Sequence, residues 1–425
     1  MAITEARPSA RRPPAPVGRI ARDRYTSPEF FAEEMERVWP RTWQLACLDS
    51  DIPNVGDYYE YEIGPYSILV VRTAADEIRA YQNVCMHRGR KIKSGQGNSD
   101  RLRCPYHSWT WNLDGTLRSV PERETYCPFD DADVGLGDVR VDQWNHWIFV
   151  TLDPDTPALL DYLGEIPALL EPYRYDRQYK WWSRSTVVRA NWKNVIDAFN
   201  EAYHARSIHP ESNTFINYAD YEVQLVGDHS YMVIPFGVPD AVAVPEPPAV
   251  EEMLDAMEWS FAAFGEDTAV VDVLRQMPPG PGQQLRDVMV PVLQGGMAQS
   301  NIDVSGLSDS QLVDDWHFFI FPNIVINCFS FGYWLFRIRP LDVDSVAFDM
   351  WYHHRVPDGM PLPDPDPNQV IPEGESCGAV MDQDFRNLPV QQQGMRNPTY
   401  PGLLLSSLES RIAHTHAVLD RYLGR

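Results

Sequence analysis

The stretch that decides the fold runs from Cys85 to His107 and reads CMHRGRKIKSGQGNSDRLRCPYH. It contains two ligand-type pairs, Cys85-x-His87 and Cys104-x-x-His107, with sixteen residues between them. Each pair is short enough for its cysteine and its histidine to reach one metal cluster from a single loop. Two thiolates suit ferric iron bridged by sulfide, and two imidazoles on the other iron raise the reduction potential above that of an all-cysteine cluster. The spacing therefore predicts a [2Fe-2S] cluster held by these four side chains.

A zinc site with two cysteines and two histidines is the main alternative interpretation of this stretch. Structural zinc sites favour C-x2-4-C and H-x3-5-H halves, whereas this stretch uses a Cys-His pair twice. Two unrelated turns would not account for the residues that shape both loops, which are Gly89, Gly95, Gly97 and Pro105. The stretch and its surroundings, Arg88-Gly89 and Pro105-Tyr106-His107-Ser108-Trp109, resemble the Rieske [2Fe-2S] motif.

The composition is that of an acidic chain of 425 residues with a net charge of -24. This charge argues against a nucleic-acid binder, because attraction to phosphates needs a basic face. No apolar run reaches the length of a membrane span, and the N-terminus lacks the apolar segment of a secretory signal. Six cysteines in so long a chain do not make a disulfide scaffold. The free thiols and the predicted cluster together indicate a reducing, cytoplasmic location.

The pattern on either side of the cluster loops predicts how the chain is divided. Short alternating apolar segments and the hairpin signal Asn112–Gly115 indicate a small β domain that holds the cluster at its tip. We expect four parts in chain order: a flexible tail (1–22), an N-terminal helix of the catalytic domain (23–42), the cluster-bearing β domain (43–155) and the catalytic domain (156–425).

The second half of the chain carries the pattern of a sheet followed by a long helix. Residues 214–238 and 316–339 alternate between bulky apolar and other side chains, which predicts antiparallel strands with one face turned inward. Residues 239–312 are weakly patterned apart from one helix, so we expect a long irregular insertion there. Leu403–Leu423 has leucines at helical spacing and is predicted to pack across the sheet as an amphipathic helix.

A second candidate metal site lies in Asn191–Pro210, which reads NWKNVIDAFNEAYHARSIHP. Asp197, Glu201 and His204 fall on one face of a predicted helix. His204 and His209 are five residues apart, about 140° around a straight helix, so they meet at one metal only if the helix ends between them. Two histidines and one carboxylate on one face of iron leave positions open for O2 and substrate. The alternative is a pair of surface histidines before a turn.

Asn-Trp-Lys followed by E-x-Y-H-x4-H, at this distance after a Rieske motif, resembles the iron-binding helix of the Rieske non-haem iron oxygenase α subunits. The resemblance extends from about Arg24 to the end of the sequence. It implies a mononuclear Fe(II) held by His204, His209 and a carboxylate far along the chain.

The third ligand is implied by a similarity to the family's D-x7-Q-x-G pattern. Met381-Asp382-Gln383-Asp384-Phe385, followed by Gln392 and Gly394, matches that pattern. The similarity places the ligand at Asp384, with Asp382 as the alternative.

The resemblance also implies a role for Glu201. An acid at this position, commonly aspartate, links the iron site to a cluster histidine of the neighbouring subunit in the family. Glu201 is therefore expected to bridge to His107 of another chain, and the implied assembly is a homotrimer, with or without β subunits. Many members have asparagine where this chain has Ala198, which leaves one hydrogen bond unassigned.

The implied fold is α+β, a Rieske β domain inserted in a helix-grip catalytic domain, in which an antiparallel sheet surrounds a long C-terminal helix. The implied function is a terminal oxygenase that takes electrons from a ferredoxin or flavin reductase, since no G-x-G-x-x-G nucleotide fingerprint follows a predicted strand. The aromatic-rich second half favours hydroxylation or cis-dihydroxylation of an apolar, aromatic substrate. Glu201, in place of the more common aspartate, is also compatible with an alternative function, a monooxygenase that acts by oxidative demethylation or on a quaternary amine. A non-catalytic Rieske electron carrier is a third interpretation, which predicts no second iron.

Overall fold

The structure is a computed structural model that describes residues 18–264 and 268–425. The chain forms two compact units. The large unit contains the described residues up to Phe31 together with Gly164–Arg425, and the small unit contains Ala32–Leu163.

Up to Leu163 the helices and strands are, in chain order, β1 (Gly18–Ala21), α1 (Asp23–Thr26), α2 (Pro28–Arg37), β2 (Gln44–Leu48), β3 (Asp57–Ile63), β4 (Tyr66–Ala74), β5 (Glu77–Gln82), β6 (Gln96–Asn98), β7 (Leu102–Arg103), β8 (Thr110–Trp111), β9 (Leu117–Ser119), β10 (Asp138–Trp144), β11 (Trp147–Thr151) and α3 (Leu159–Leu163). From Gly164 onward they are α4 (Ile166–Leu170), β12 (Gln178–Val188), α5 (Trp192–Phe199), α6 (Ala205–Ile208), β13 (Glu222–Val226), β14 (His229–Ile234), α7 (Val250–Phe264), α8 (Ala269–Gln276), α9 (Leu285–Gln299), α10 (Asp309–Val313), β15 (Asp315–Ile320), β16 (Ile324–Phe329), β17 (Gly332–Asp342), β18 (Ser345–Arg355), β19 (Gln369–Val370), α11 (Ala379–Met395), β20 (Gly402–Leu405) and α12 (Ser410–Leu423).

The small unit is built on a seven-stranded antiparallel sheet in the order β2-β11-β10-β5-β4-β3-β6 and a three-stranded sheet of β7, β8 and β9. It extends beyond the β domain predicted at residues 43–155 at both ends, since it begins at Ala32, within the helix predicted for the catalytic domain, and ends at Leu163. Helix α3 buries Leu159 and Leu163 completely. The indole Nε1 of Trp43 donates a hydrogen bond to the carbonyl oxygen of Pro157 at 2.8 Å. The residues just after the predicted end therefore still belong to this unit.

The large unit is built on an eight-stranded sheet in the order β13-β14-β15-β16-β17-β18-β12-β19. All neighbours are antiparallel except β12 and β19. Helix α5 packs on the sheet through Phe199 against Phe336, with ring centroids 5.1 Å apart, and α11 packs through Phe385 against Phe348 at 5.0 Å. Helix α12 contacts the sheet through the buried Arg411. A sheet covered by a C-terminal helix confirms the predicted α+β fold class.

Two predictions about the chain ends are wrong, and one strand pairing explains both. Gly18–Ala21 forms β1, which pairs antiparallel with β20. The predicted flexible tail is therefore wrong from residue 18 onward, and residues 1–17 lie outside the described part. Because Gly402–Leu405 is the partner strand, the predicted terminal helix does not begin at Leu403 but as α12 at Ser410.

The predicted helix at 23–42 and the predicted irregular insertion also differ from the structure. The first is two helices, because Pro28 disfavours helical geometry at Ser27, whose φ is -85° and ψ is 124°. Most of residues 239–312 is helical, in α7, α8, α9 and α10. Across the described residues, no helix combines the length and the apolar character that crossing a membrane requires.

Candidate metal centres

The two cluster loops of the small unit have the same backbone pattern. In the first, the N–H of Cys85 donates to the carbonyl of Arg90 at 2.8 Å, and the N–H of Gly89 donates to the carbonyl of Cys85 at 2.9 Å. In the second, Cys104 N–H donates to the Trp109 carbonyl at 2.8 Å, and Ser108 N–H donates to the Cys104 carbonyl at 3.0 Å. The fourth residue after each cysteine has positive φ, 71° at Gly89 and 63° at Ser108. Each loop is thus a closed turn that fixes one cysteine and one histidine.

The four predicted cluster ligands lie together, with the cysteines inside and the histidines at the edge. Cys85 and Cys104 are 3% and 1% exposed and belong to the hydrophobic core of the small unit. The rings of His87 and His107 are partly exposed, and their centroids are 4.7 Å apart. Trp109 stacks on His87 with centroids 5.3 Å apart, which supports the ring.

The chemistry of this donor set fits a Rieske cluster. Burial raises the pKa of the Cys85 thiol, and the backbone N–H groups of His87 and Arg88 oppose that shift by donating hydrogen bonds to the sulfur. The same N–H groups would stabilise a thiolate bound to iron. The paired sulfurs in the core and the paired imidazoles at the edge match the two Cys and two His donors of such a cluster.

The segment Asn191–Pro210 is not the single helix that the sequence predicts. Helix α5 ends at Phe199, so Asp197, Glu201 and His204 do not share one helical face, which corrects the prediction. The short helix α6 lies between His204 and His209. His209 leaves helical geometry, with φ -119° and ψ 55°, directly before Pro210. The two histidines can therefore turn toward each other.

His204, His209 and Asp384 converge in the large unit. One ligand atom of each lies within 4.8 Å of those of the other two. The Nε2 atoms of His204 and His209 are 3.6 Å and 3.3 Å from Asp384 Oδ1. These three described side chains therefore form a group that could hold a metal ion.

Both histidines are oriented through their Nδ1 atoms. Nδ1 of His204 is 2.6 Å from Glu201 Oε1, and the backbone N–H of His204 donates to Glu201 Oε2 at 2.9 Å. Nδ1 of His209 is 2.7 Å from Gln383 Oε1, while the Gln383 amide donates to Glu211 at 3.1 Å. Since these oxygens accept, Nδ1 carries a proton in each ring, and Nε2 is the nitrogen that would bind a metal.

Of the two acidic residues on α11, Asp382 and Asp384, only Asp384 reaches the histidines. Asp382 instead accepts hydrogen bonds from the Ser376 hydroxyl at 2.6 Å and from the Cys377 N–H at 2.8 Å, just before the helix. Gln392, two turns after Asp384, accepts from the Asn191 N–H at 3.1 Å and so fastens α11 to the start of α5. This contact explains how two segments so far apart in sequence form one site.

The three side chains fit a mononuclear iron. Burial alone would lower the pKa of His204, but the carboxylates of Glu201 and Asp384 outweigh it and raise the pKa to about 9. A cation is thus favoured where the Nε2 atoms and Asp384 meet. Two imidazoles and one carboxylate are the donor set of a facial iron site with open positions.

A mostly apolar cavity of about 200 Å³ adjoins these three residues. Ten of its lining residues are Phe, Tyr or Trp, and among the described lining residues none is Lys or Arg. Ala198 also lines the cavity and adds an apolar side chain to its wall. The cavity can hold an organic molecule next to the predicted iron and keep water away from it.

Sequence reasoning assigned no role to Gln383 or to Tyr25. The hydroxyl of Tyr25 donates to Asp197 Oδ2 at 2.5 Å and contacts His416 Nε2 at 2.7 Å. Asp197 is buried against Tyr25, and burial raises its pKa to about 7 although the hydrogen bond from Tyr25 opposes that shift. For Gln383, its place next to a predicted ligand was the only signal in the sequence.

Two family profiles match the chain. The one described as "Ring hydroxylating alpha subunit (catalytic domain)" covers residues 170–425, and the one described as "Rieske [2Fe-2S] domain" covers residues 42–140. The chain is 29% identical over 386 residues to the glycine betaine monooxygenase oxygenase subunit of Chromohalobacter salexigens, covering 89% of this chain and 80% of that protein. It is 32% identical over 206 residues to the anthranilate 1,2-dioxygenase large subunit of Acinetobacter baylyi, covering 47% and 44% of the two chains.

A solved structure of a quaternary ammonium Rieske monooxygenase has the same fold. It superposes with a TM-score of 0.68 at 16% identity and covers 95% of each chain. Rieske oxygenase α subunits work with a reductase or ferredoxin and oligomerise. With the catalytic-domain profile matching more than half of its length, the chain belongs to the ring-hydroxylating α subunits, oxygenase components with a Rieske [2Fe-2S] cluster and a mononuclear iron.

Proposed function

We propose that this oxygenase hydroxylates or cis-dihydroxylates an apolar, aromatic substrate in the cavity beside His204, His209 and Asp384. The observation that carries the proposal is the cavity wall, with ten aromatic residues and, among the described lining residues, no Lys or Arg. Offset and edge-to-face contacts between aromatic rings stabilise an aromatic ligand beyond its buried area. An anionic substrate would find no permanent positive charge in this wall.

The proposed roles follow from the contacts of each side chain. Cys85, His87, Cys104 and His107 hold the cluster, and His204, His209 and Asp384 hold the iron. When bound, the iron activates O2 with electrons that the cluster delivers one at a time. Glu201 and Gln383 accept the Nδ1 protons of the two histidines and so aim both Nε2 atoms at the iron position. The aromatic wall holds the substrate and excludes water.

Glu201 has a second proposed role, as the electron bridge. Its side chain is 9% exposed and contacts His204 within the chain. A carboxylate in contact with an iron ligand provides a short, fixed path for an electron arriving from a cluster histidine. We expect that histidine to be His107 of a neighbouring copy, in a homotrimer with or without β subunits, supplied by a ferredoxin or flavin reductase in the cytoplasm.

A quaternary amine is the second candidate substrate. It is favoured by the similarity to the glycine betaine monooxygenase oxygenase subunit. Aromatic faces also attract a quaternary ammonium group. However, a betaine carries a carboxylate, and the described cavity wall offers it no Lys or Arg. A quaternary amine without a carboxylate, such as choline, therefore fits this cavity better than a betaine does.

Turnover assays with the holoenzyme distinguish the two candidates. The enzyme, reduced by a surrogate reductase, is given naphthalene, indole, choline or glycine betaine in parallel. We expect oxygenated aromatic products, with O2 uptake that matches product. Formaldehyde or aldehyde release from the amines, with no aromatic product, would overturn the proposal and favour the quaternary amine.

A further inference from the structure

The apolar cavity contains one polar patch away from the predicted iron ligands. It consists of Asp315 and His317 on β15 and Asn327 on β16, all of which line the cavity. Asp315 and His317 are two residues apart on one strand, so both side chains point to the same face of the sheet. Asp315 is 6% exposed and His317 is 3% exposed. The roles proposed above do not use these groups.

Asp315 has one oxygen without a partner. Its Oδ2 accepts a hydrogen bond from Asn327 Nδ2 at 2.7 Å, whereas Oδ1 has no hydrogen-bond partner among the described residues. A buried acceptor without a donor is unfavourable, so its persistence needs an explanation. Burial raises the pKa of Asp315 to about 7, against the hydrogen bond from Asn327 and the charge of Arg411. A donor on a bound molecule would stabilise this carboxylate.

His317 is held in one tautomer beside it. Arg411 can only donate, and its Nη1 is 3.1 Å from His317 Nδ1, so Nδ1 accepts and Nε2 carries the proton. Burial and the charge of Arg411 hold the pKa of His317 well below its usual range, which keeps the ring neutral. Arg411 is itself fixed, since its Nε donates to the Ser230 hydroxyl at 2.9 Å. On the acceptor side of the patch, Asp315 Oδ1 has no hydrogen-bond partner among the described residues, and on the donor side Arg411 Nη2 has none either.

We propose that Asp315 determines substrate specificity by accepting a hydrogen bond from an N–H or O–H group carried by the aromatic substrate. This inference rests on the proposed function and narrows its substrate class to rings bearing an amine, a ring N–H or a hydroxyl group. A plain hydrocarbon would leave Oδ1 unpaired. A site built to hydrogen-bond a substrate group rejects the analogue that lacks it more strongly than an apolar site rejects a missing methylene.

The test compares the binding of indole and indene, two rings of nearly the same shape of which only indole has an N–H. Anaerobic calorimetric titration of the holoenzyme gives both dissociation constants. We expect wild-type protein to bind indole at least about tenfold more tightly than indene, as one hydrogen bond to a charged group predicts. In Asp315→Leu the ratio should fall to about one. In Asp315→Asn, which keeps an oxygen acceptor, it should lie between these values.

The control is Asp342→Asn, an equivalent change at the exposed end of β17 outside the cavity, which should keep the wild-type ratio. The visible spectrum of the cluster and the iron content show whether each variant is folded and loaded. A wild-type ratio near one, or an unchanged ratio in both Asp315 variants, would overturn the role of Asp315 and leave the proposed function standing. If wild-type protein neither binds nor oxidises any of the aromatic compounds, the proposed function fails and this inference fails with it.

Discussion

In the small unit the four cluster ligands come from 23 consecutive residues, whereas the large unit takes its predicted iron ligands from segments 175 residues apart. Each cluster loop is closed by its own backbone hydrogen bonds, and its cysteine packs in the hydrophobic core of the same unit. The iron site depends on side chains that connect distant segments, such as Gln392 between α11 and α5. The first site is specified locally, and the second exists only once the fold has formed.

The two sites also differ in how far their side chains are exposed to solvent. His87 and His107 lie at a partly exposed edge, where an electron can arrive. Asp384 and Glu201 are 7% and 9% exposed and line a mostly apolar cavity. An electron donor must be able to reach the cluster, whereas the reaction with O2 requires a cavity that excludes water.

The largest expected effect separates Asp384 from Asp382, two residues apart on α11. Asp384→Asn removes the carboxylate that, among the described residues, reaches both histidines, so we expect loss of the mononuclear iron and of all product formation. Asp382→Asn weakens hydrogen bonds before the helix and should cost about 1 kcal/mol of stability, with activity kept. Iron analysis and product assays of both variants check this, and an active Asp384→Asn protein would remove Asp384 from the ligand set.

The next effect concerns electron transfer to the iron. Glu201→Gln keeps an oxygen that can accept from His204 Nδ1 but removes the negative charge. We expect both metals to stay bound and product formation to slow severely, because the proposed path through the carboxylate is impaired. Single-turnover kinetics from the reduced cluster measure the step directly. Turnover at the wild-type rate would exclude Glu201 as the bridge.

A smaller effect is expected for Gln383, which orients His209. Gln383→Leu leaves His209 Nδ1 without its acceptor, and loss of such outer contacts typically weakens metal binding by about 10–100-fold. Competition with an iron chelator gives the affinity, with Gln393→Leu, one residue after Gln392 on the same helix, as a control outside the site. Equal affinities in the two variants would show that His209 is oriented without Gln383.

The contrast between the units also explains what could be predicted from the sequence. The four cluster ligands can be predicted from the sequence because they all lie, at a characteristic spacing, within one short stretch. Asp384 was reached only through the family resemblance, since no local pattern joins it to His204. The break between α5 and α6 was missed because Glu201-Ala-Tyr-His continues the helical periodicity, and tertiary contacts overrode it. Strand β1 was missed because its four residues gain order only by pairing with β20.

Asp315 shows the same limit inside the cavity. In the sequence it is one acid before a run of bulky residues, and nothing distinguishes it from a surface carboxylate. Its burial and its unpaired oxygen depend on where β16 and α12 pack. Such a residue can be recognised only from the folded chain.

The central claim is that one chain carries a two-iron cluster in the small unit and a separate iron in the large unit. Iron and sulfide analysis combined with Mössbauer spectroscopy of wild-type, Cys104→Ser and His204→Ala protein tests it most directly. We predict about three iron and about two sulfide per wild-type chain, and loss of the cluster signal in Cys104→Ser. His204→Ala should retain about two iron with an unchanged cluster spectrum. Zinc in place of iron, or a His204→Ala protein with its full iron content, would contradict the account.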